Sequence, residues 1–157
     1  MKTAFIIIDV QNILVETGFE TDKLLEKIAY LQDQARKQQI EIIYMQHIET
    51  PEALTSEDWQ LSPLLKRQAN EKVFKKRYNS MFKETGLKEY LDQQGIEQLV
   101  LCGMQTEYCV DTSVKVGFEY GYKLVIPEGV VTTFDGEDIP AETLNEFYEN
   151  IWAERFA

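Results

Sequence analysis

Leu99-Val100-Leu101-Cys102-Gly103-Met104-Gln105-Thr106-Glu107-Tyr108-Cys109-Val110-Asp111-Thr112 decides how this chain is read. An apolar run stops at a glycine, and a cysteine follows where a helical pattern opens. That is the order of a buried strand, a tight loop and a helix start. A thiol at a helix start sits among backbone N–H groups that have no intrahelical partner and near the positive end of the helix dipole, and both favour the thiolate. The same N–H groups can stabilise the oxyanion formed when a thiolate attacks a carbonyl. Cys109 is therefore a candidate nucleophile, set against the plainer reading of a small buried hydrophobe. Cys102, inside the apolar run, reads as core.

On both sides of this stretch, apolar runs alternate with helical patterns. Residues 4–8, 40–45, 73–74, 98–101 and 123–126 are predicted strands. Thr21 or Asp22 caps a predicted helix whose apolar stripe is Leu24, Ile28, Leu31 and Ala35. Further helices are predicted over 84–93, ended by Gly95, and over 108–120, ended by Gly121. A last amphipathic helix carries Ala141, Leu144, Phe147, Tyr148, Ile151 and Trp152. Alternating strands and helices indicate an α/β fold: a three-layer α/β/α open sheet of five to six mostly parallel strands, in the order 3-2-1-4-5-6, with helices on both faces. With no repeat, low-complexity segment or linker, residues 1–157 are expected to form a single domain. A chain of that length can bury roughly 70% of its unfolded surface.

Composition narrows the function. The chain is 44% hydrophobic and 27% charged, an ordinary globular balance. Its net charge of −11 repels phosphate backbones, so nucleic acid is not an expected partner. No apolar stretch nears the ~18 residues of a membrane span, and Asp9 cuts the N-terminal run too short for a signal-peptide core, so a cytoplasmic location is expected. Two cysteines in such a sequence are expected as free thiols, and the four close ligands of a zinc–cysteine site are missing.

In open parallel sheets, ligands bind beyond the carboxyl ends of the strands. Asp9 closes the first strand, behind four apolar residues that would desolvate it and raise its proton affinity. Lys76 follows the third strand. A lysine run such as Lys75-Lys76-Arg77 is usually a solvated face, but a buried lysine beside Asp9 and Cys109 would hold both in their charged forms. If the first strand neighbours the fourth, the crevice between them holds Asp9 and Cys109. His47, the only histidine, ends the second strand, where it can line a pocket or serve structure. The long connection 48–70, with Pro51, Trp59 and Pro63, is a candidate lid or pocket wall.

With these residues in hand, the chain resembles the isochorismatase-like cysteine hydrolases, the superfamily that includes nicotinamidases. Phe5-Ile6-Ile7-Ile8-Asp9-Val10-Gln11-Asn12 looks like the family's first strand with its acidic residue. Lys76-Arg77-Tyr78-Asn79-Ser80-Met81-Phe82 looks like its lysine segment, and spacing to Phe82 favours Lys76 over Lys75. Gly103-Met104-Gln105-Thr106-Glu107-Tyr108-Cys109-Val110 is similar to its nucleophile loop. The resemblance implies catalytic Asp9, Lys76 and Cys109, and a cis peptide between Met104 and Gln105. That peptide would turn the Gln105 N–H toward the oxyanion, beside that of Cys109. It also implies dimers or tetramers, to which the aromatic C-terminal helix and a short sheet edge are suited.

Three departures accompany the resemblance. Nicotinamidases of the family bind a metal through an Asp-x-His pair and a second histidine. Gln46-His47-Ile48-Glu49 has no such pair, so no metal or other cofactor is expected, and nicotinamide is not the expected substrate. After the fifth strand Pro127-Glu128-Gly129 stands where the family carries an acidic residue. The chain ends at Phe156-Ala157 where relatives continue into an edge strand, here expected as a stub or as a strand completed by a partner subunit.

The expected reaction is cleavage of the C–N bond of a small amide through a thioester, in a pocket walled by Gln11, His47, Trp59, Phe82 and Tyr108. The competing readings are an isochorismatase-type vinyl-ether hydrolase, which needs no thiol, a non-catalytic ligand-binding or assembly module, and a redox-sensing thiol.

Overall fold

Ala4, Phe5, Ile6, Ile7 and Ile8 place apolar side chains on both faces of an extended segment, which therefore needs cover on both. The computed structural model, which describes residues 1–157, shows that cover. Strand β1 (Thr3–Ile8) is central and fully parallel to both neighbours, β2 (Glu41–His47) and β4 (Gln98–Met104). Beyond β2 lies β3 (Lys72–Lys76), and β5 (Lys123–Val125) pairs with the start of β4, giving the order β3-β2-β1-β4-β5. A short sixth strand, β6 (Val131–Thr132), pairs with Gly103 and Met104.

The sixth strand thus lies along β4 and not outside β5. The register accounts for this: β5 covers only Gln98, Leu99 and Val100, which leaves the far end of β4 open for β6. The residues after the last helix form no strand, and Phe156 packs edge-on against Phe118.

Two-residue alternation sorts the sheet's side chains into two cores. Phe5, Ile7, Tyr44, Cys102 and Met104 meet Leu24, Ile28 and Ala35 of α2 (Thr21–Lys37), which follows the short α1 (Asn12–Thr17). Ile6, Ile8, Met45 and Leu101 meet Leu87 and Leu91 of α3 (Leu87–Gln93), Val114 of α4 (Asp111–Glu119) and Trp152 of α5 (Ala141–Trp152). Burying a large aliphatic side chain in such a layer contributes about 1.5–3 kcal/mol. No helix is long and apolar enough to cross a membrane.

Two element boundaries depart from the expected ones in ways that bear on function. The third strand runs on through Lys76, and its alternation leaves Lys75 exposed while Lys76 is buried. The helix expected over 108–120 opens instead with a π-helical turn, Thr106–Val110, before α4 begins.

Where β1 and β4 approach their carboxyl ends, Ile8 lies opposite Gly103. Gly103 has φ +127°, and a Cβ there would stand 2.0 Å from the Ile8 carbonyl oxygen. Only glycine allows this approach, from which Asp9 and the 104–110 loop diverge. Gly103→Ala is expected to cost more than about 2 kcal/mol in denaturant unfolding, from the combined clash and backbone strain. An unchanged midpoint would contradict that reading.

Candidate active site

Each chemically active side chain sits at a strand's carboxyl end or beyond it. Asp9 follows β1 in the left-handed region, at φ 52°, which aspartate tolerates better than most residues. Its N–H donates to the Met45 carbonyl at 3.0 Å, so the turn is tied to β2. His47 ends β2 and Lys76 ends β3. Cys109 is the fourth residue of the π-helical turn after β4.

The sheet order brings these together around one ammonium. Lys76 Nζ lies 2.8 Å from Asp9 Oδ2, with 0% and 2% of the two side chains exposed. It donates to the Tyr78 carbonyl at 2.9 Å and the Asn79 carbonyl at 3.3 Å. Cys109 Sγ lies 3.1 Å away and His47 Nδ1 3.3 Å away. Asp9 Oδ1, also buried, has no hydrogen-bond partner.

Burial pushes the Asp9 carboxyl up from its ordinary value, with Lys76 opposing the rise. Burial, followed by the charge of Asp9, pushes the Cys109 thiol up to about 12. Both causes favour the thiol over the thiolate that a helix start would favour. Two observations explain the difference: Cys109 lies inside the turn, only 9% exposed, and a carboxylate stands beside it. His47 is lowered, first by burial and then by the charge of Lys76.

A cavity of about 170 Å³ opens over the thiol. Asp9, His47, Gln105 and Cys109 line it, with Trp59 and Tyr108 as its aromatic walls. The His47 and Trp59 rings are 5.9 Å apart at 40°. Leu14, Glu49 and Asn79 complete the lining and were not singled out in the sequence. Asn79 stands three residues past Lys76, within the motif already quoted, and Glu49 two residues past His47. Leu14 carries no sequence signal of its own. A wider cleft of about 370 Å³, between α2 and α5, contains no cysteine.

Two expected wall residues lie elsewhere. Gln11 is 0% exposed and its amide is spent on the backbone. Its Nε2 donates to the Trp59 carbonyl at 2.6 Å and the His47 carbonyl at 2.9 Å, and its Oε1 accepts from the His47 N–H at 2.9 Å. Gln11 thus holds two wall residues in place without touching the cavity. Phe82 is core, stacked on Tyr122 and edge-on to Tyr120.

The loop carrying Gln105 is braced from behind. Thr133 donates to Glu107 Oε1 at 2.5 Å, with Gln105 Oε1 3.3 Å from the same hydroxyl, and Thr106 donates to Asn145 Oδ1, on α5, at 2.6 Å. The Met104–Gln105 peptide is cis, and no hydrogen bond within the chain uses the Gln105 N–H.

A carboxylate oxygen of Asp9, a ring nitrogen of His47 and Cys109 Sγ all lie within 4.8 Å of one another, close enough to be considered as metal ligands. They do not fit a metal ion. The Lys76 ammonium already contacts all three residues, and a divalent cation among them would meet its charge at short range with little water to screen it.

An isochorismatase domain matches residues 3–149. The chain belongs to the isochorismatase family. Streptothricin hydrolase from Streptomyces noursei is 28% identical over 144 residues, covering 88% of this chain, which spans about half (51%) of that relative's length. Nicotinamidase from Escherichia coli is 34% identical over 87 residues, 47% of this chain and 41% of its own. The crystal structure of an isochorismatase from Pseudomonas putida superposes with a TM-score of 0.92 at 30% identity, covering 99% of this chain and 85% of that one.

In this isochorismatase-family chain a single histidine makes the site directly observable. The His47 ring resonances in a proton NMR titration are expected to have a midpoint below that of a free histidine, and Lys76→Met is expected to move it upward. A wild-type midpoint at or above the free value would contradict the burial and charge described here.

Proposed function

We propose that this protein is a cysteine hydrolase that cleaves the C–N bond of a small amide through a thioester, with Asp9, Lys76 and Cys109 acting as a unit. One observation carries the reading: Asp9 has one oxygen fixed by Lys76 while the other, buried and without a partner, is free to accept a proton. A thiol stands within 4.8 Å of that carboxylate, under a cavity of small-molecule size. Relatives named streptothricin hydrolase and nicotinamidase support hydrolysis as the reaction class.

The steps follow from these positions. As Cys109 Sγ attacks the amide carbonyl, its proton passes to Asp9, so that free thiolate need not accumulate despite the raised thiol pKa. Lys76 keeps the carboxylate charged and oriented until that moment. The Gln105 and Cys109 N–H groups bind the oxyanion, a contribution worth about 10²–10³ in rate per donor in comparable sites. Asp9 returns the proton to the departing nitrogen as the C–N bond breaks, leaving a thioester. A water molecule, giving its proton to Asp9, then attacks the acyl carbon. The S–C bond breaks, the acid is released, and the sulfur recovers its proton. His47, Trp59 and Tyr108 hold the substrate during both halves.

Cys109→Ala is expected to lower kcat/KM by more than about 10³-fold on any amide the wild type cleaves. Rapid quenching of the wild type is expected to show an acyl adduct on Cys109 by intact mass. Near-wild-type amide turnover by Cys109→Ala, with loss in Asp9→Asn, would overturn the covalent route.

A further inference from the structure

We propose that the substrate of this site carries a positive charge away from its scissile carbonyl, recognised by Glu49 together with the faces of Trp59 and Tyr108. The inference rests on the cysteine-hydrolase reading and adds the chemical class of the substrate.

The charges around the cavity point this way. The acidic, imidazole and thiol side chains that line it are Asp9, Glu49, His47 and Cys109, beside the Tyr108 phenol, and no lysine or arginine is among them. The ammonium of Lys76 lies behind the lining with its side chain 0% exposed, and its charge is matched by Asp9 at 2.8 Å. Burial and the charge of Lys76 disfavour the charged form of His47, and burial and Asp9 disfavour the thiolate of Cys109. What remains uncompensated is Glu49, which is exposed to solvent and enters none of the chain's ion pairs. A carboxylate on the substrate would find no cation to pair with and one like charge to face.

The walls favour the same sign. Trp59 and Tyr108 line the cavity that Glu49 borders, and Tyr108 is 54% exposed. Aromatic faces attract cations by about 0.5–1 kcal/mol at such sites, and do so together with a nearby carboxylate. The net charge of −11 adds a long-range field that concentrates cations at the surface.

Charge preference at the thiol can be read without turnover. Methanethiosulfonate reagents bearing trimethylammonioethyl, methyl or sulfonatoethyl groups would be reacted with the protein, and the rate at Cys109 followed by peptide mass. Cys102, 0% exposed, does not compete. The cation-to-anion rate ratio, normalised to the same ratio for mercaptoethanol, is expected to exceed unity by about tenfold. Glu49→Gln is expected to reduce it about fivefold or more, as loss of one nearby charge would. A normalised ratio near one, or a ratio unchanged in Glu49→Gln, overturns the proposal.

Amide cleavage is scored separately, with gamma-aminobutyramide, valeramide and succinamate as cationic, neutral and anionic substrates. Preferred cleavage of the cationic amide supports both readings. Preferred cleavage of succinamate overturns the charge assignment while the hydrolase reading stands. No cleavage of any amide, with the reagent ratio as expected, counts against amide hydrolysis and leaves the cation preference in place.

Discussion

A lysine ammonium with no exposed surface must find both a counter-charge and hydrogen-bond acceptors, and Lys76 finds them only because four chain segments meet at it. Asp9 comes from the end of β1, the Tyr78 and Asn79 carbonyls from the loop after β3, His47 from the end of β2, and Cys109 from the turn after β4. Desolvating two ions costs several kcal/mol each, and only good geometry offsets that cost. The pair therefore adds little net stability to the fold. Losing either partner would leave a buried charge uncompensated, which costs about 3–5 kcal/mol. The same geometry makes Asp9 asymmetric, with one oxygen held and one free beside a thiol, and the proposed chemistry depends on that asymmetry.

The cavity keeps its shape because polar groups behind it are already spent. Gln11 and Gln46 both donate to the Trp59 carbonyl, so the connection after β2 is pinned to the sheet where Trp59 enters the site. The antiparallel bridge between Gln11 and Leu61 and the bond from the Ser62 N–H to the Val10 carbonyl extend that pinning. On the other side, α5 fixes the 104–110 loop through Asn145, and Trp152 Nε1 donates to Asp111 Oδ1 at 2.9 Å. Walls positioned in advance reduce what a small substrate must order on binding.

Much of this was legible in the sequence, for physical reasons that can be named. β1 and β4 announce themselves as unbroken apolar runs, and the residues that end them, Asp9 and the 103–109 loop, follow directly. β3 was barely visible because an edge strand alternates lysines with apolar residues, and the alternation that buries Lys76 and exposes Lys75 appears only once the strand is known to run through both. The turn that carries Cys109 is π-helical where the pattern reads as an α-helix start, and burial and the Asp9 carboxylate, neither visible locally, push the thiol pKa up. Gln11 and Phe82 lie in the right motifs but face inward, because motif membership fixes position along the chain and not the direction of a side chain. Glu49 and Leu14 reach the site by loop and helix geometry that no local pattern encodes.

In the proposed mechanism Asp9 and Cys109 share one proton under the control of Lys76. The most direct measurement is the pH dependence of iodoacetamide alkylation at Cys109, in wild type and in Asp9→Asn. Slow alkylation of the wild type is expected at neutral pH, because burial and the Asp9 carboxylate push the thiol pKa up. Removing that negative charge while keeping Lys76 should lower the thiol pKa, so Asp9→Asn should alkylate faster even as turnover collapses. Rapid alkylation of the wild type with a depressed pKa, or a rate profile that Asp9→Asn leaves unmoved, would show that the two groups share no proton.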